Sequence, residues 1–309
     1  MLKYILRRIL LLIPVILGVT LITFTMLYFT PGDPARLSLG EQATETELEI
    51  FREENGLNDG FFVRFGRYVF NAFFKQDLGM SYRYKQPVFD EILSRFPATL
   101  KLAGLGVLVA VLIGLPTGII SATKQYSIFD TISMILALIG VSMPNFWQGL
   151  LLIILFSVNL RVLPSSGFST PAQMILPVIT IGTSTAAIIT RMTRSSMLEV
   201  IRSDYIRTAR AKGQKESKIV LRHALGNAMI PIVTVIGLQF GYLLGGAVLT
   251  ESIFSVPGVG RLMVDAIKNK DFPMVQGGVL FIAVTFSIVN LLIDILYAFL
   301  DPRIRSQYR

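Results

Sequence analysis

The chain has 309 residues and a formal net charge of +9; 52% of it is hydrophobic and only 16% charged, with a mean hydropathy of +0.62. That balance excludes an ordinary soluble domain and places the chain among membrane proteins. It holds no Cys and a single His, His223, which excludes disulfides, thiolate ligands and a His-based metal cluster.

A bilayer core of about 30 Å needs about 20 apolar residues of helix. Six segments reach that length without a formal charge: 9–30, 102–123, 131–160, 162–190, 224–250 and 272–293. The first follows Lys3, Arg7 and Arg8, contains Pro14, and runs into Thr30-Pro31-Gly32-Asp33-Pro34. It reads as an uncleaved span, because no small-residue cleavage site follows it.

Residues 31–97 form a long mixed-charge segment. Within it ATETELEIFREENG reads as an amphipathic helix ending at Gly56, with a Thr44/Glu47 capping pattern. The aromatics Phe61, Phe62, Phe65, Tyr68, Phe70, Phe73 and Phe74 point to a folded cap or an interfacial segment. Packing within a small cap is the simpler use, and a substrate-contacting surface the alternative.

The second span carries Gly114 and Gly118, and the fifth carries Gly237, Gly241 and Gly245 beside Gly246. Small residues four apart let another backbone approach closely. They serve either ordinary packing within the chain or a helix that lines or slides along a pathway. Gln239 and Thr234 are candidate pathway groups on the fifth span. The third and fourth segments exceed one span, and Pro144, Pro164, Pro171 and Pro177 mark the excess as loop or kink. Asp294 lies about 10 Å inside the end of the last span at 1.5 Å per residue. An ionisable group there is either functional or a structural partner for Arg191 or Arg194.

Orientation follows from Lys and Arg. With the N-terminus in the cytoplasm and the spans alternating, the cytoplasmic pieces hold sixteen basic and five acidic residues, nine of the basic ones between Arg191 and Arg222. The outer 31–97 segment holds eight basic and eleven acidic residues. The asymmetry puts both termini in the cytoplasm. The basic charge therefore serves topology, not nucleic-acid binding. The chain divides into 1–95, a span plus outer segment; 96–303, five spans with a cytoplasmic loop at 191–227; and a tail at 304–309. No Gly-Lys dipeptide occurs, so a G-x-x-x-x-G-K-[ST] phosphate loop is excluded. Pro257-Gly258-Val259-Gly260 reads as a turn. No internal repeat is visible, in contrast to many secondary transporters; six spans without a repeat look like half of a two-fold pathway.

The most informative stretch is 203–226, SDYIRTARAKGQKESKIVLRHALG. Ser203 or Asp204 can cap a short helix, Gly213 can end it in the left-handed conformation, and a second helix begins near Lys215. This stretch resembles the cytoplasmic loop of binding-protein-dependent ABC importers, whose Glu-Ala-Ala, three residues, Gly pattern is followed by Ile-x-Leu-Pro. Ala209, Gly213 and Leu225 match that pattern; Arg207, Thr208, His223 and Gly226 depart from it. DYIRTARAKG looks like the variant of the di- and oligopeptide branch. So do LRRILLLIPVILGVTLITF, RFPATLKLA, VSMPNFWQGLLLI, LPSSGF, GAVLTESIFSVPGVGRL and NLLIDILYAFLDPRIR.

The resemblance implies an all-α, six-span permease of the type I ABC importer fold in a prokaryotic plasma membrane. It implies no cofactor on this chain, with ATP and Mg on two separate ATP-binding subunits. The other partners implied are a second homologous permease, forming a heterodimer, an extracytoplasmic solute-binding protein and a peptide substrate. Asp204, Tyr205, Ile206, Arg207, Ala209, Arg210, Ala211 and Gly213 would form the ATPase-coupling element. In it Tyr205 and Ile206 would enter an apolar pocket, and Arg207, Arg210 and Lys212 would meet acidic groups. Nickel complexes, glutathione or another small solute are alternative cargoes. An ion-gradient-driven secondary transporter is the rival class, and predicts several buried ionisable groups.

Overall fold

The computed structural model describes residues 2–245 and 247–300. Gly246, Asp301, Arg303 and the 304–309 tail lie outside the described residues. Among the described residues the regular secondary structure is helical, apart from one isolated bridge between Met80 and Pro87.

Helix α1 (Leu2–Tyr28) is followed by three short helices, α2 (Pro34–Leu39), α3 (Glu45–Glu54) and α4 (Phe61–Phe74). Next come α5 (Val88–Thr123), α6 (Ile128–Ser142) and α7 (Asn145–Leu152), which continues as π-helix over Ile153–Asn159. Then follow α8 (Pro171–Ile201), α9 (Asp204–Ala211), α10 (Glu216–Lys218), a second π-helix over Ile219–Ala224, and α11 (Leu225–Leu244). Helices α12 (Val248–Ile253), α13 (Val259–Lys268) and α14 (Phe272–Leu300) complete the described chain. Five of the described helical stretches are long and apolar enough to cross a membrane, and six if the bent α6–α7 pair counts as one span.

The excess length around Pro144 is a sharp bend. α6 and the helix beginning at Asn145 meet at 103°. Met143 precedes Pro144 and is driven out of the helical region, to φ −80, ψ 123. The fourth span starts later than its apolar run: residues 160–170 form a loop, and Pro171 opens α8 behind a Thr170/Gln173 capping box. The fifth apolar run is likewise two helices, because α11 ends at Leu244 and α12 starts anew at Val248.

Helix α8 is central. In its most apolar stretch 67% of the residues are buried, against at most 28% in the other four. α5 lies along it at backbone distance. A Cβ on Gly114 would stand 2.7 Å from the Ala186 carbonyl oxygen, and one on Gly118 would stand 2.7 Å from that of Thr190. Gly182 answers from α8, where a Cβ would meet Val109 at 2.9 Å. Only glycine permits this approach.

At one end of the bundle α2–α4 form a cap. Asp33 caps α2 through the Ala35 amide (3.0 Å) and pairs with Arg52 of α3 (2.6 Å). α3 carries the Thr44/Glu47 capping box read from the sequence. Buried Asp271, just ahead of α14, accepts hydrogen bonds from the Ser81 hydroxyl and the Tyr82 amide (3.1 Å), which ties the segment between α4 and α5 to the start of the last helix.

Candidate coupling site and translocation elements

The opposite end of the bundle carries α9. α8 stops at Ile201, and Ser203 is extended at φ −71, ψ 153, the geometry of a helix N-cap. Its hydroxyl does not cap, however; it donates back to the Val200 carbonyl at 2.6 Å. The chain turns at Gly213, where φ is +74. The Gly213 amide closes the turn on Arg210 at 2.9 Å, and the Gln214 amide reaches Ala209 at 3.3 Å. An L side chain is strained at that φ, so the glycine fixes the corner. Arg210 spans it, donating to Glu216 at 2.6 and 3.1 Å. His223 in turn contacts Gln214 at 3.1 Å.

The pocket expected for Ile206 on a partner lies within this chain. Ile206 is fully buried among Ala122, Met197, Ile219, Ala224, Ala228 and Ile232. These residues come from α5, α8, the second π-helix and α11, so α9 is packed onto the ends of three spans. Ala209 is half-buried against the same cluster. Asp204, Tyr205, Arg207, Thr208, Arg210 and Ala211 remain exposed. Arg207 lies 3.6 Å from Asp204. Arg210 thus has an acidic partner, Glu216, within the chain, and both side chains remain exposed.

Both glycine faces pack inside the chain. Gly114 and Gly118 face α8, as described. Gly237 faces Ile293, Gly241 faces Phe286 and Val289, and Gly245 faces Ile282, all of α14. Gln239 lies about 200° round the helix from Gly237 and Gly241, turned away from α14 and half-buried. Thr234 donates to the Ile230 carbonyl at 2.7 Å.

Asp294 pairs with Arg8 of α1 at 2.9 Å. The partners expected from sequence, Arg191 and Arg194, are placed otherwise. Arg191 is exposed, and Arg194 grips Asp130 of α6 with two bonds of 2.6 and 2.8 Å. Asp130 also receives the Ser121 hydroxyl and the Tyr126 amide (2.9 Å). Sequence reasoning missed this clamp because Asp130 sits one residue outside the apolar run that begins at Thr131.

A second missed group is Glu251, fully buried on α12. Its carboxylate accepts from the Thr99 hydroxyl (2.8 Å), the Arg261 amide (3.0 Å) and the Gly260 amide. These amides open α13, whose N-cap residue, Gly258, has no side chain to cap it. Glu251 supplies that cap from another helix. A Cβ on Gly260 would stand 2.9 Å from the carboxylate, so the run read as a turn is a carboxylate cradle. Burial pushes the Glu251 carboxyl above its ordinary value, and the Thr99 and backbone hydrogen bonds oppose that rise. Beside it, Phe254 packs at 3.0 Å from the Cβ position of Gly149 on α7, and its carbonyl accepts from the Gly167 amide at 2.8 Å.

The described chain is thus a long-helix bundle with a sharply bent helix pair, a helical cap at one end and a short helix packed on the helix ends at the other. Residues 114–306 match the family described as "Binding-protein-dependent transport system inner membrane component". Residues 1–103 match its N-terminal companion. The chain is 44% identical to the dipeptide transport system permease protein DppB of Alkalihalophilus pseudofirmus, over 99% of this chain and 100% of that protein. It is 43% identical to the glutathione transport system permease protein GsiC of Escherichia coli K12, over 99% of each. The fold also resembles the inward-facing MetNI methionine ABC transporter, with TM-score 0.56 and 19% identity over 68% of this chain and 96% of that one. The chain belongs to the binding-protein-dependent transport system inner membrane component family. It is a multi-pass inner-membrane permease, not itself an enzyme.

Proposed function

We propose that this chain forms half of the pathway of an ATP-driven importer of short peptides. A second, paralogous permease completes the pathway, two ATP-binding subunits supply ATP and Mg, and an external solute-binding protein delivers the cargo. The observation that carries this reading is the burial of Ile206 among residues of three spans. A subunit that moves α9 moves those span ends with it, because a packed core transmits displacement instead of absorbing it. The exposed face of α9, with Tyr205, Arg207, Thr208 and Ala211, is the surface offered to an ATPase cleft.

In this reading α9 and both termini face the cytoplasm, as the Lys and Arg distribution requires. The glycine-mediated α5–α8 and α11–α14 contacts make each pair a stiff unit that rocks as one body. The similar identities to the dipeptide and glutathione permeases favour small peptides as the cargo class.

The test is a crosslink. The chain has no Cys, so Thr208→Cys provides a single thiol on the exposed face. Disulfide formation with a Cys in the ATPase cleft supports the assignment. Labelling of that thiol only from the external side of sealed cells overturns the orientation.

A further inference from the structure

Helix α4 has three distinct arcs. At 100° per residue, Phe61, Phe65, Tyr68 and Ala72 share one arc. Phe61 and Phe65 of that arc stack edge-on against Phe24 of α1, at 5.3 and 5.5 Å between ring centroids. Arg64, Arg67 and Asn71 share a second arc and line an open cavity of about 770 Å³ between the cap and the ends of α1 and α14. The third arc holds Phe62, Val63, Phe70, Phe73 and Phe74. It is apolar and uncovered: Phe62 is 82% exposed, Phe74 76%, Val63 57% and Phe70 52%.

We infer that this third arc lies in the outer leaflet of the bilayer, with α4 as an interfacial helix running along the membrane surface. The depth of its attachment supports this. The α1 span ends at Tyr28, and α4 packs on Tyr28 and Phe24. Four residues of helix separate those two rings, or about 6 Å. Interfacial helices bury their apolar faces by about 5–10 Å at the headgroup boundary, which is the same depth. At the same level along its axis, α1 itself exposes Ile22 and Met26 on the side turned away from α4, as a helix surrounded by lipid does.

The charges agree. Arg64 sits over the Tyr28 ring at 5.1 Å, and Lys75 sits over the Phe70 ring at 5.6 Å. Both cations ride above aromatic groups, as side chains do where rings occupy the headgroup level. An exposed phenylalanine row in water would be a strong aggregation surface; in the leaflet it anchors the cap.

Nitroxide labels on Phe62→Cys, Phe70→Cys, Phe73→Cys and Asn71→Cys variants of the full chain in phosphatidylcholine vesicles provide the test, using power-saturation EPR. Labels at 62, 70 and 73 are expected to collide with oxygen in preference to a water-soluble nickel chelate, at a depth of about 5–10 Å. The label at 71 should show the reverse preference. Nickel access at 62, 70 and 73 overturns the proposal by placing the arc in water. Exclusion of both reagents from those three sites also overturns it, because a protein surface, such as a second copy of the chain, would then cover the arc.

Discussion

Arg210 and Glu216 form an ion pair of 2.6 Å across the Gly213 corner, closing α9 back onto the start of the next helix. Charge reversal at Arg210 therefore acts first inside the chain. We expect Arg210→Glu to weaken coupling between ATP hydrolysis and uptake by placing a like charge against Glu216. The exchanged pair, Arg210→Glu with Glu216→Arg, should recover most of it. Failure of the exchange to recover coupling, with the chain inserted normally, would show that Arg210 instead meets a partner. The readout is ATP hydrolysis stimulated by substrate and binding protein.

Gly213 separates conformation from bulk. Its φ is +74, and the space around its Cβ position is open, so backbone strain alone decides. A non-glycine residue in the left-handed region costs about 1–3 kcal/mol, and Asn tolerates it better than a β-branched residue. Gly213→Asn should retain coupling and Gly213→Val should lose it, with equal membrane insertion of both. Equal coupling in the two variants contradicts the conformational role.

Glycines of the two packed faces should differ in tolerance. At Gly118 a Cβ meets the Thr190 backbone carbonyl at 2.7 Å, whereas at Gly241 it meets Phe286 and Val289 side chains at 3.2–3.3 Å. Side chains yield where backbone does not. Gly118→Ala should cost about 1–3 kcal/mol by overpacking, and Gly241→Ala less. Thermal unfolding in detergent compares them; a larger loss at Gly241 would contradict the backbone-contact account.

Glu251 carries a pH signature. Its carboxyl is raised above the ordinary glutamate value of 4.5, so the fold favours the protonated form. Its stabilising contribution is complete below that ordinary value and is lost as pH rises through the raised one. The unfolding temperature of the unmodified chain should fall across that window. Glu251→Gln, neutral and able to accept from the α13 amides while its NH₂ donates to Thr99, should flatten the dependence. Glu251→Ala should destabilise at every pH by leaving buried amides unpaired, a cost of about 1–3 kcal/mol. An unchanged pH profile in Glu251→Gln contradicts this account.

The sequence disclosed the features that are local. Gly213 was legible because a short polar helix followed by Gly has few other readings. Thr44 and Glu47 were legible because a capping box is contained in four residues. Pro144 signalled the break in a run too long for one span, but not the 103° bend, which depends on what each half packs against. The tertiary pairings were hidden. Nothing in the local pattern distinguishes Arg8 from Arg194 as the partner of Asp294, since about 290 residues of fold decide it. Ile206 reads the same whether its pocket belongs to this chain or to another. Gly258 and Gly260 read as a turn because the carboxylate they admit is on a different helix.

The most direct test of the central claim is peptide uptake in proteoliposomes holding this chain, a second permease, two ATP-binding subunits and the solute-binding protein. Uptake should require ATP, should stop when the ATP-binding subunits are omitted, and should be absent with this chain alone under any ion gradient. Gradient-driven uptake by this chain alone would contradict the account.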